Sequence, residues 1–211
     1  MNLAELERSG SHSNVNTFYV SFSDLLLLML VFFVLVVGMS KVDVGSFEQL
    51  RAGVTGSTKG TLVELAEKLK TLAKDQPGVS VELAADGVRL DLDSRALFDT
   101  GSSALKFNAI EPLRPLLREI LQTRYAIDVE GHSDDRAFFR KIGEEIETNW
   151  SLSGKRAASV LHVLLEYGFQ RSRLRIVGYA STRPRASLSG RSGDALEAAR
   201  RQNRRVTLLV K

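Results

Sequence analysis

The chain lacks cysteine and has only three histidines and a small excess of positive charge. Without cysteine it can form neither a disulfide framework nor a thiolate metal site. Its 211 residues include 29 basic and 25 acidic ones, which gives a formal net charge of +4. That excess is too small to argue for a nucleic-acid partner. The positive charges that flank the long apolar run described next do not determine its orientation in a membrane, because Arg8 is the only basic residue before it.

This long apolar run extends from Phe18 to Met39. Its second half carries no charged or hydrogen-bonding side chain, and the whole run has roughly the 20 residues that a helix needs to cross a bilayer core. No cleavage site of the A-x-A kind lies within it. We therefore expect a retained single transmembrane helix over residues 18–40, preceded by a short and poorly ordered tail of residues 1–17.

Asp24 is the one charged side chain inside the apolar run. A carboxylate within a membrane helix is costly and by default marks a function. Alternatively, Asp24 simply caps a helix that begins at Leu25, because Ser and Asp are favoured capping residues. The apolar stretch that remains would then be short for a span. The length favours a helix that begins near Phe18 and holds Asp24 inside.

About 170 residues follow the apolar run, which is enough for a linker and one compact domain. Residues 41–78 form the predicted linker, in which four glycines precede a short amphipathic helix from Thr61 to Lys74. This helix needs a surface to lie against. Packing on the domain, a role as a plug and a position on the membrane surface are the alternatives. Pro77-Gly78 interrupts the chain before a domain of residues 79–211.

Strand and helix patterns alternate through residues 79–211, which predicts an α/β (α+β) domain with helices packed on a mixed β-sheet. The predicted elements are a hairpin over 79–92, a helix over 109–122 with Asn108 as N-cap, a strand over 125–130, a polar loop over 131–148, a helix over 151–167, a strand over 174–179, a short helix over 195–201 and a strand over 205–210.

Four blocks in the second half carry the most specific signal. They read VEGHSDD at 129–135, NWSLSGKRAASV at 149–160, IVGYASTRP at 176–184 and RRQNRRVTLLV at 200–210. In this order and spacing they resemble the OmpA-like peptidoglycan-binding domain over about 130 residues. The Asn149-Trp150 pair and the doubled Asp134-Asp135 resemble the MotB branch of that family. An aspartate early in a single apolar helix is similar to the ion-carrying aspartate of MotB-type stator subunits.

The resemblance implies a groove that binds peptidoglycan. A carboxylate is expected to meet the ammonium of a diaminopimelate-type side chain, and a guanidinium is expected to fork onto its carboxylate. Asp134 takes the first role and Arg156 the second, near the start of the helix that follows Asp134. Asn149 is expected to shape the rim. Arg204 and Arg205 point to opposite faces of a strand, so that only one reaches the groove, and we assign Arg205.

The resemblance also implies ion transport, in which Asp24 binds a proton or a sodium ion. Two copies of the chain would form a homodimer inside a ring of a MotA- or ZorA-like polytopic subunit. The chain would lie in the bacterial inner membrane with a cytoplasmic N-terminus and a periplasmic domain. Flagellar MotB chains commonly have a basic N-terminal tail and a longer linker, and this chain has neither. We therefore lean to a Zorya-type anti-phage defence motor (ZorB-like) over the flagellar stator.

Other functions fit the same residues less well. A hydrolase triad of His132, Asp134 and Ser151 or Ser153 lacks a G-x-S-x-G elbow, and Ser153 lies where a helix needs its cap. A metal site at His132, Asp134 and Asp135 lacks a pair of histidines one helical turn apart. We expect no enzymatic activity, metal, cofactor or nucleic-acid partner. A passive link between membrane and cell wall is the main alternative, although such a link has no use for Asp24.

Overall fold

The computed structural model describes residues 3–39 and 61–211, which belong to two separate units. The first unit contains helix α1, Leu3–Met39. Its stretch Thr17–Val36 has a mean hydropathy of 2.4 and is long and apolar enough to cross a membrane, by length and composition. Residues 3–17 were expected to be poorly ordered but continue the same helix, since the Leu, Ala, Glu and Arg residues at its start are strong helix formers.

A five-stranded sheet forms the centre of the second unit, which we call the domain. The strand order is β1-β2-β7-β3-β6, with β3 and β6 parallel and all other neighbours antiparallel. The sheet is therefore mixed, as predicted. Its strands are β1 (Val79–Ala84), β2 (Gly87–Asp93), β3 (Ile127–His132), β6 (Leu174–Ala180) and β7 (Arg205–Val210).

The helices of the domain lie around this sheet. They are α2 (Leu62–Ala73), the short α3 (Ser94–Leu97), α4 (Arg114–Leu121), α5 (Asn149–Glu166) and α6 (Gly193–Asn203), with 3-10 turns at Glu111–Leu113 and Arg171–Arg173. Helix α5 packs on β3 and β6, and α2 packs on β1 and α4. Leu90, Leu208 and Val129 are cross-strand partners in β2, β7 and β3, and all three are fully buried under these helices. The apolar residues that predicted a layered fold therefore form one core.

Helix α2 is part of this core. The hydroxyl of Thr61 caps it by accepting a hydrogen bond from the Glu64 N–H at 3.2 Å. Leu62, Leu65 and Leu69 are buried in the same cluster as the sheet residues. The amphipathic helix of the predicted linker thus packs on the domain, which was the first of the three alternatives. The earlier part of that linker, residues 41–60, lies outside the described residues.

The helix predicted from Ala109 begins later. A 3-10 turn at Glu111–Leu113 leads into α4, and Asn108 has a left-handed φ of +59° and does not act as an N-cap. Two prolines explain the difference. Pro112 and Pro115 each lack a backbone N–H and fit only in the first turn of a helix. Each therefore lies at the start of its own element, Pro112 in the 3-10 turn and Pro115 in α4. Asn is one of the few residues that tolerates the left-handed conformation.

The predicted polar loop of residues 131–148 contains a two-stranded hairpin, β4 (Phe139–Ile142) and β5 (Glu145–Thr148). Gly143 adopts φ +61° at its turn. The buried carboxylate of Glu147 accepts hydrogen bonds from Arg140 Nε at 3.0 Å and Lys155 Nζ at 2.7 Å. Charge pairing, and not apolar alternation, links the strands, so the hydrophobic pattern gave no sign of them.

Helix α5 begins at Asn149, two residues before its predicted start. Thr148 is the N-cap, and it forms a capping box with Ser151. The Thr148 side chain accepts a hydrogen bond from the Ser151 N–H, and Ser151 Oγ accepts one from the Thr148 N–H at 2.8 Å. Ser153 is therefore not the cap. Its hydroxyl accepts a hydrogen bond from the Ala180 N–H at 3.2 Å, which joins α5 to the end of β6.

Gly131 of β3 allows this close approach of α5. A Cβ at Gly131 would lie 1.9 Å from the Ser153 carbonyl oxygen, a backbone atom that cannot move aside. The helix can therefore lie against β3 only if this position carries no side chain.

We predict that Gly131→Ala lowers the free energy of unfolding by about 3 kcal/mol or more, because it forces α5 off the sheet. Gly154→Ala is the matched control: its Cβ would meet nothing within 4 Å, and alanine in a helix is more stable than glycine by roughly 0.5–1 kcal/mol. Urea unfolding of the purified protein, followed by near-UV circular dichroism, measures both. Equal stability of Gly131→Ala and the parent would contradict this packing.

Candidate functional site

A groove of about 340 Å³ opens where β2 and β3 end and α5 begins. Residues 94–101 form one wall and residues 133–138 another, while the first two turns of α5 and the Arg204 side chain complete it. Asp134, Arg156 and Asn149 all line this groove. Three of the four residues that the sequence predicted for a common site therefore share one.

Asp134 follows the end of β3 by two residues and is only 7% exposed. Its carboxylate forms an ion pair with the guanidinium of Arg204 and accepts a hydrogen bond from the Arg136 N–H at 3.3 Å. The position of the carboxylate is therefore fixed by a cation from a segment 70 residues later in the chain.

The loop that carries Asp134 is held against α6. Asp135 accepts hydrogen bonds from Arg200 Nε at 2.7 Å and from a terminal nitrogen of Arg200 at 2.8 Å. Arg136 pairs with Glu197, one turn earlier on the same helix. The hydrogen bonds from Arg200 keep the pKa of Asp135 below its usual range. These contacts fix the loop from outside and leave Asp134 facing the groove.

Arg156 is a buried cation that has no anionic partner in the part of the chain that the structure describes. Its side chain is in the second turn of α5 and only 6% of the residue is exposed. Nε donates to the Ser102 carbonyl at 2.8 Å, and the guanidinium carbon lies 5.2 Å from the centre of the Phe98 ring. Within residues 3–39 and 61–211, no carboxylate forms an ion pair with Arg156.

Burial lowers the pKa of the Arg156 guanidinium, nearby Arg204 lowers it further, and Asp134 partly opposes both. Keeping a buried charge without a counter-ion is costly. The planar fork of an arginine suits a carboxylate, and Arg156 offers this fork in an open groove.

Asn149 lies at the rim, as expected. It is the first residue of α5, and its Nδ2 donates to the Arg136 carbonyl at 2.7 Å. The amide thus connects the start of the helix to the loop that carries Asp134, and the residue stays partly accessible to solvent.

The structure corrects the assignment of Arg205. Arg204 lines the groove, whereas Arg205 points to the opposite side and lines a second cavity of about 410 Å³. Its Nε lies 3.6 Å from Asp91 Oδ1. Arg205 pairs with Asp93 in the register of β7 and β2, which places its side chain on the outer face of the sheet. The sequence indicated that the two arginines diverge but not which one faces α5.

Sequence reasoning also missed the floor of the groove. Phe98, whose ring lies under Arg156, and Ser94 come from the segment after β2, which is more than 50 residues before Arg156 in the chain. Phe138, treated as part of a polar loop, contributes a second aromatic wall. No spacing pattern connects these residues, because they meet only when β2 and β3 lie in the same sheet.

His132 ends β3 and is 2% exposed. Its ring stacks on Tyr179 at a centroid distance of 5.3 Å, and Nε2 lies 3.4 Å from Glu130 Oε2. Burial lowers the pKa of His132, although Glu130 partly opposes this effect. Ser153 is bonded to the Ala180 N–H and to the Trp150 carbonyl, so it does not pair with His132 as a nucleophile would.

Asp24 lies inside α1, well after the start of the helix at Leu3. The alternative that Asp24 caps a helix beginning at Leu25 is therefore wrong. Thr17 and Ser21 precede it by two turns and one turn, so the helical period places both hydroxyls on the same face as the carboxylate.

Two family profiles match the chain. The OmpA family matches residues 97–198, and a family described as membrane MotB of the proton-channel complex MotA/MotB matches residues 5–57. These are families of anchoring and channel-complex proteins, not of enzymes.

Individual relatives agree with these profiles. The chain is 29% identical to the uncharacterized protein YtxE of Bacillus subtilis, over 97% of this chain and 93% of YtxE. It is 32% identical to Motility protein B of Escherichia coli K12, over 72% of this chain but only 47% of the relative. The chain thus spans about half the length of that relative.

Solved structures show the same fold. The periplasmic domain of Helicobacter pylori MotB aligns with a TM-score of 0.54 and 28% identity, over 66% of this chain and 83% of that domain. A putative MotB-like protein from Desulfovibrio vulgaris aligns with a TM-score of 0.60 over 71% of this chain and 90% of its own, and at 21% identity this likeness concerns the fold alone.

We predict that His132 makes the domain less stable in mild acid. Its pKa is lowered in the folded state, so the unfolded state binds a proton more readily once the pH falls below the unfolded value of about 6.5. Its contribution to stability is complete above that value and is lost as the pH falls towards the folded pKa. His132→Phe keeps a ring against Tyr179 but does not titrate. The free energy of unfolding of this variant should therefore change less with pH in this range. Urea unfolding between about pH 7.5 and 5 measures both proteins. Parallel curves would count against a titrating His132.

Proposed function

We propose that this chain, a MotB-type protein with an OmpA-like domain, is the peptidoglycan-anchored, ion-conducting subunit of a stator-type membrane motor. The observation that carries the wall-binding part is Arg156, a buried guanidinium that has no carboxylate partner among the described residues and faces an open groove. The observation that carries the ion-conducting part is Asp24, a carboxylate in the interior of an apolar helix.

The charges of the groove suit a stem peptide of peptidoglycan. The charged side chains that line it are Arg95, Arg136, Arg156, Arg204, Asp99 and Asp134. This excess of cations favours a ligand with more carboxylates than ammonium groups, and peptidoglycan stem peptides have this composition. In our proposal the Arg156 fork binds a carboxylate of a diaminopimelate-type residue and Asp134 binds its ammonium.

Arg204 has a positioning role in this arrangement. It holds the Asp134 carboxylate in place when the groove is empty. Its charge also lowers the pKa of the neighbouring Arg156 through repulsion. An arriving carboxylate relieves that repulsion, which adds to the affinity for an anionic ligand.

We predict that Asp134→Ala and Arg156→Ala each weaken binding to isolated peptidoglycan about 10- to 100-fold, the effect of losing a charged hydrogen-bonding pair. Arg156→Lys keeps the charge but loses the fork and should also bind less well. Co-sedimentation of the detergent-purified chain with sacculi measures all variants, with circular dichroism as a check on folding.

Arg201→Ala is the matched control for this experiment. Arg201 is an exposed arginine of α6 that lines the second cavity and not the groove, so its loss removes one positive charge without changing the site. If Asp134→Ala and Arg156→Ala sediment as well as Arg201→Ala does, the groove is not the peptidoglycan site.

Asp24 is the proposed ion carrier. A charged side chain in a membrane span is costly unless it is neutralised, and binding a proton or a sodium ion achieves this. Each elementary charge that crosses a potential of 100 mV releases about 2.3 kcal/mol, which is the source of work for such a motor. The hydroxyls of Thr17 and Ser21 lie on the same helical face and give the ion a partly polar approach to Asp24.

The ion-conducting proposal needs further protein. We propose that two copies of the chain place their α1 helices inside a ring of a MotA- or ZorA-like polytopic subunit, in the bacterial inner membrane. The N-terminus then lies in the cytoplasm and the domain in the periplasm, where it reaches the cell wall. The ring supplies the partner that Asp24 needs within the membrane.

The machine that this subunit serves is either the flagellar motor or another motor of the same type. A flagellar stator subunit commonly has a basic tail and a longer linker, and this chain has only Arg8 before the apolar run. We therefore lean to a defence-type motor similar to Zorya. Phage resistance and motility, measured in a strain that lacks the gene, distinguish the two.

We predict that Asp24→Asn inserts and assembles normally but abolishes function. Asn has nearly the shape of Asp and is cheaper in lipid, but it cannot gain or lose a proton. Asp24→Glu keeps a titrating group displaced by one methylene and should retain partial function at most. The yield of the complex with the ring subunit, and motility or phage resistance, are measured side by side.

Ser23→Ala is the control, because Ser23 lies next to Asp24 in the chain but on another face of α1. It should assemble and work as the parent does. If Asp24→Asn also works, the chain is a passive link between membrane and wall and not part of a motor.

A further inference from the structure

We propose that the Ser94 hydroxyl is a ligand-binding group on the floor of the groove, where it hydrogen-bonds to the carboxylate that Arg156 binds. This inference rests on the proposed function of the groove as the peptidoglycan site. It adds a third group to that site and assigns it to one part of the ligand.

Ser94 is the first residue of α3 and is only 1% exposed. Both of its backbone groups are bonded: its N–H donates to the Arg204 carbonyl at 3.0 Å, and its carbonyl accepts from the Phe98 N–H at 2.8 Å. Its hydroxyl oxygen is buried and has no hydrogen-bond partner within residues 3–39 and 61–211. Native proteins rarely leave a buried hydroxyl in this state, because removing it from water without replacing its hydrogen bonds is unfavourable.

The capping of α3 does not explain the hydroxyl. Asp93 caps this helix, with its Oδ1 accepting from the Arg95 N–H at 2.9 Å. Ser94 therefore has no task in beginning the helix that alanine would not perform equally well. Among the described residues, the other buried side-chain atoms without a partner belong to His132 and Arg205, and neither residue lines the groove.

The position of Ser94 identifies the part of the ligand that it meets. Ser94 lines the groove together with Arg156. Phe98, which lies one helical turn after Ser94, carries the Arg156 guanidinium 5.2 Å above its ring. Ser94, whose hydroxyl has no partner among the described residues, and the Arg156 guanidinium, which forms no ion pair with them, thus both lie next to Phe98 in the groove.

A hydroxyl in such surroundings donates to an anion. Four arginines and two aspartates line the groove, so a group on its floor lies in cationic surroundings, and Arg156 offers its fork there. A carboxylate has about four acceptor positions, of which a bidentate arginine uses two. One of the remaining positions is available for the Ser94 O–H, while Asp134 remains for the ammonium.

The test uses the full chain in detergent and the tripeptide L-alanyl-D-glutamyl-meso-diaminopimelate as the probe. Ser94→Ala should unfold at the same or a higher urea concentration than the parent, because it removes a hydroxyl that has no partner. Its affinity for the tripeptide, measured by calorimetry, should fall about tenfold, the effect of one hydrogen bond to a charged group.

Ser159→Ala is the matched control. The Ser159 hydroxyl donates to the Ser103 carbonyl at 2.7 Å, and this residue lies outside the groove. The same substitution should therefore lower stability and leave the affinity for the tripeptide unchanged, which is the reverse of the result for Ser94→Ala.

A second probe, in which the side-chain carboxylate of diaminopimelate is amidated, tests whether the Ser94 hydroxyl contacts this carboxylate. The parent should bind it more weakly than the acid, and Ser94→Ala should reduce the affinity for the amide by less than it reduces the affinity for the acid. Equal reductions for both probes would overturn the assignment to this carboxylate.

The remaining outcomes separate this inference from the proposed function. If Arg156→Ala binds the tripeptide as the parent does, the proposed function fails, whatever Ser94 does. If Arg156→Ala loses binding but Ser94→Ala keeps the parent's affinity, only the inference about Ser94 is overturned. A marked loss of stability in Ser94→Ala would also overturn it, since the hydroxyl would then have a partner in the protein.

Discussion

The close contact between β3 and α5 at Gly131 positions the whole candidate groove. Because the Ser153 carbonyl lies where a side chain at this position would be, the first turns of α5 lie directly over the end of β3. The Ser153 hydroxyl adds a hydrogen bond to the end of β6. Asp134 after β3 and Arg156 on α5 therefore face the same opening, although 22 positions separate them in the chain. Without this contact, the two oppositely charged groups would have no fixed separation.

Pairing distinguishes Arg156 from the other cations around it. Arg95 pairs with Asp93, Arg136 with Glu197 and Arg204 with Asp134, and each of these groove arginines is held by the protein's own carboxylates. Arg156 instead contacts a backbone carbonyl and the face of the Phe98 ring. These contacts accept a hydrogen bond and support the guanidinium, but they do not neutralise its charge. A formal net charge of +4 conveys none of this. In our proposal the groove binds its ligand through the one lining arginine that forms no ion pair with a described residue, and only the fold determines which arginine that is.

The sequence predicted those parts of the site that depend on local pattern. The strand predicted over residues 205–210 has the bounds of β7, and the motif around Asp134 and Arg156 placed both residues in one groove. The predictions from the sequence that were wrong or incomplete have physical causes. The β4–β5 hairpin is joined by charges and has no apolar alternation. Choosing between Arg204 and Arg205 required the register of β7 against β2, and Ser94 reaches the groove only through the order of strands in the sheet.

The burial of helix α2 has a mechanical consequence. The chain enters the domain at Thr61, so a pull from the preceding residues acts first on the N-terminal end of α2. Leu62 and Leu65, at that end, are buried against β1 and α4, so tension must shear a packed helix from the core before it reaches the sheet. A load applied at Thr61 therefore meets an apolar contact of about three helical turns before any strand is disturbed.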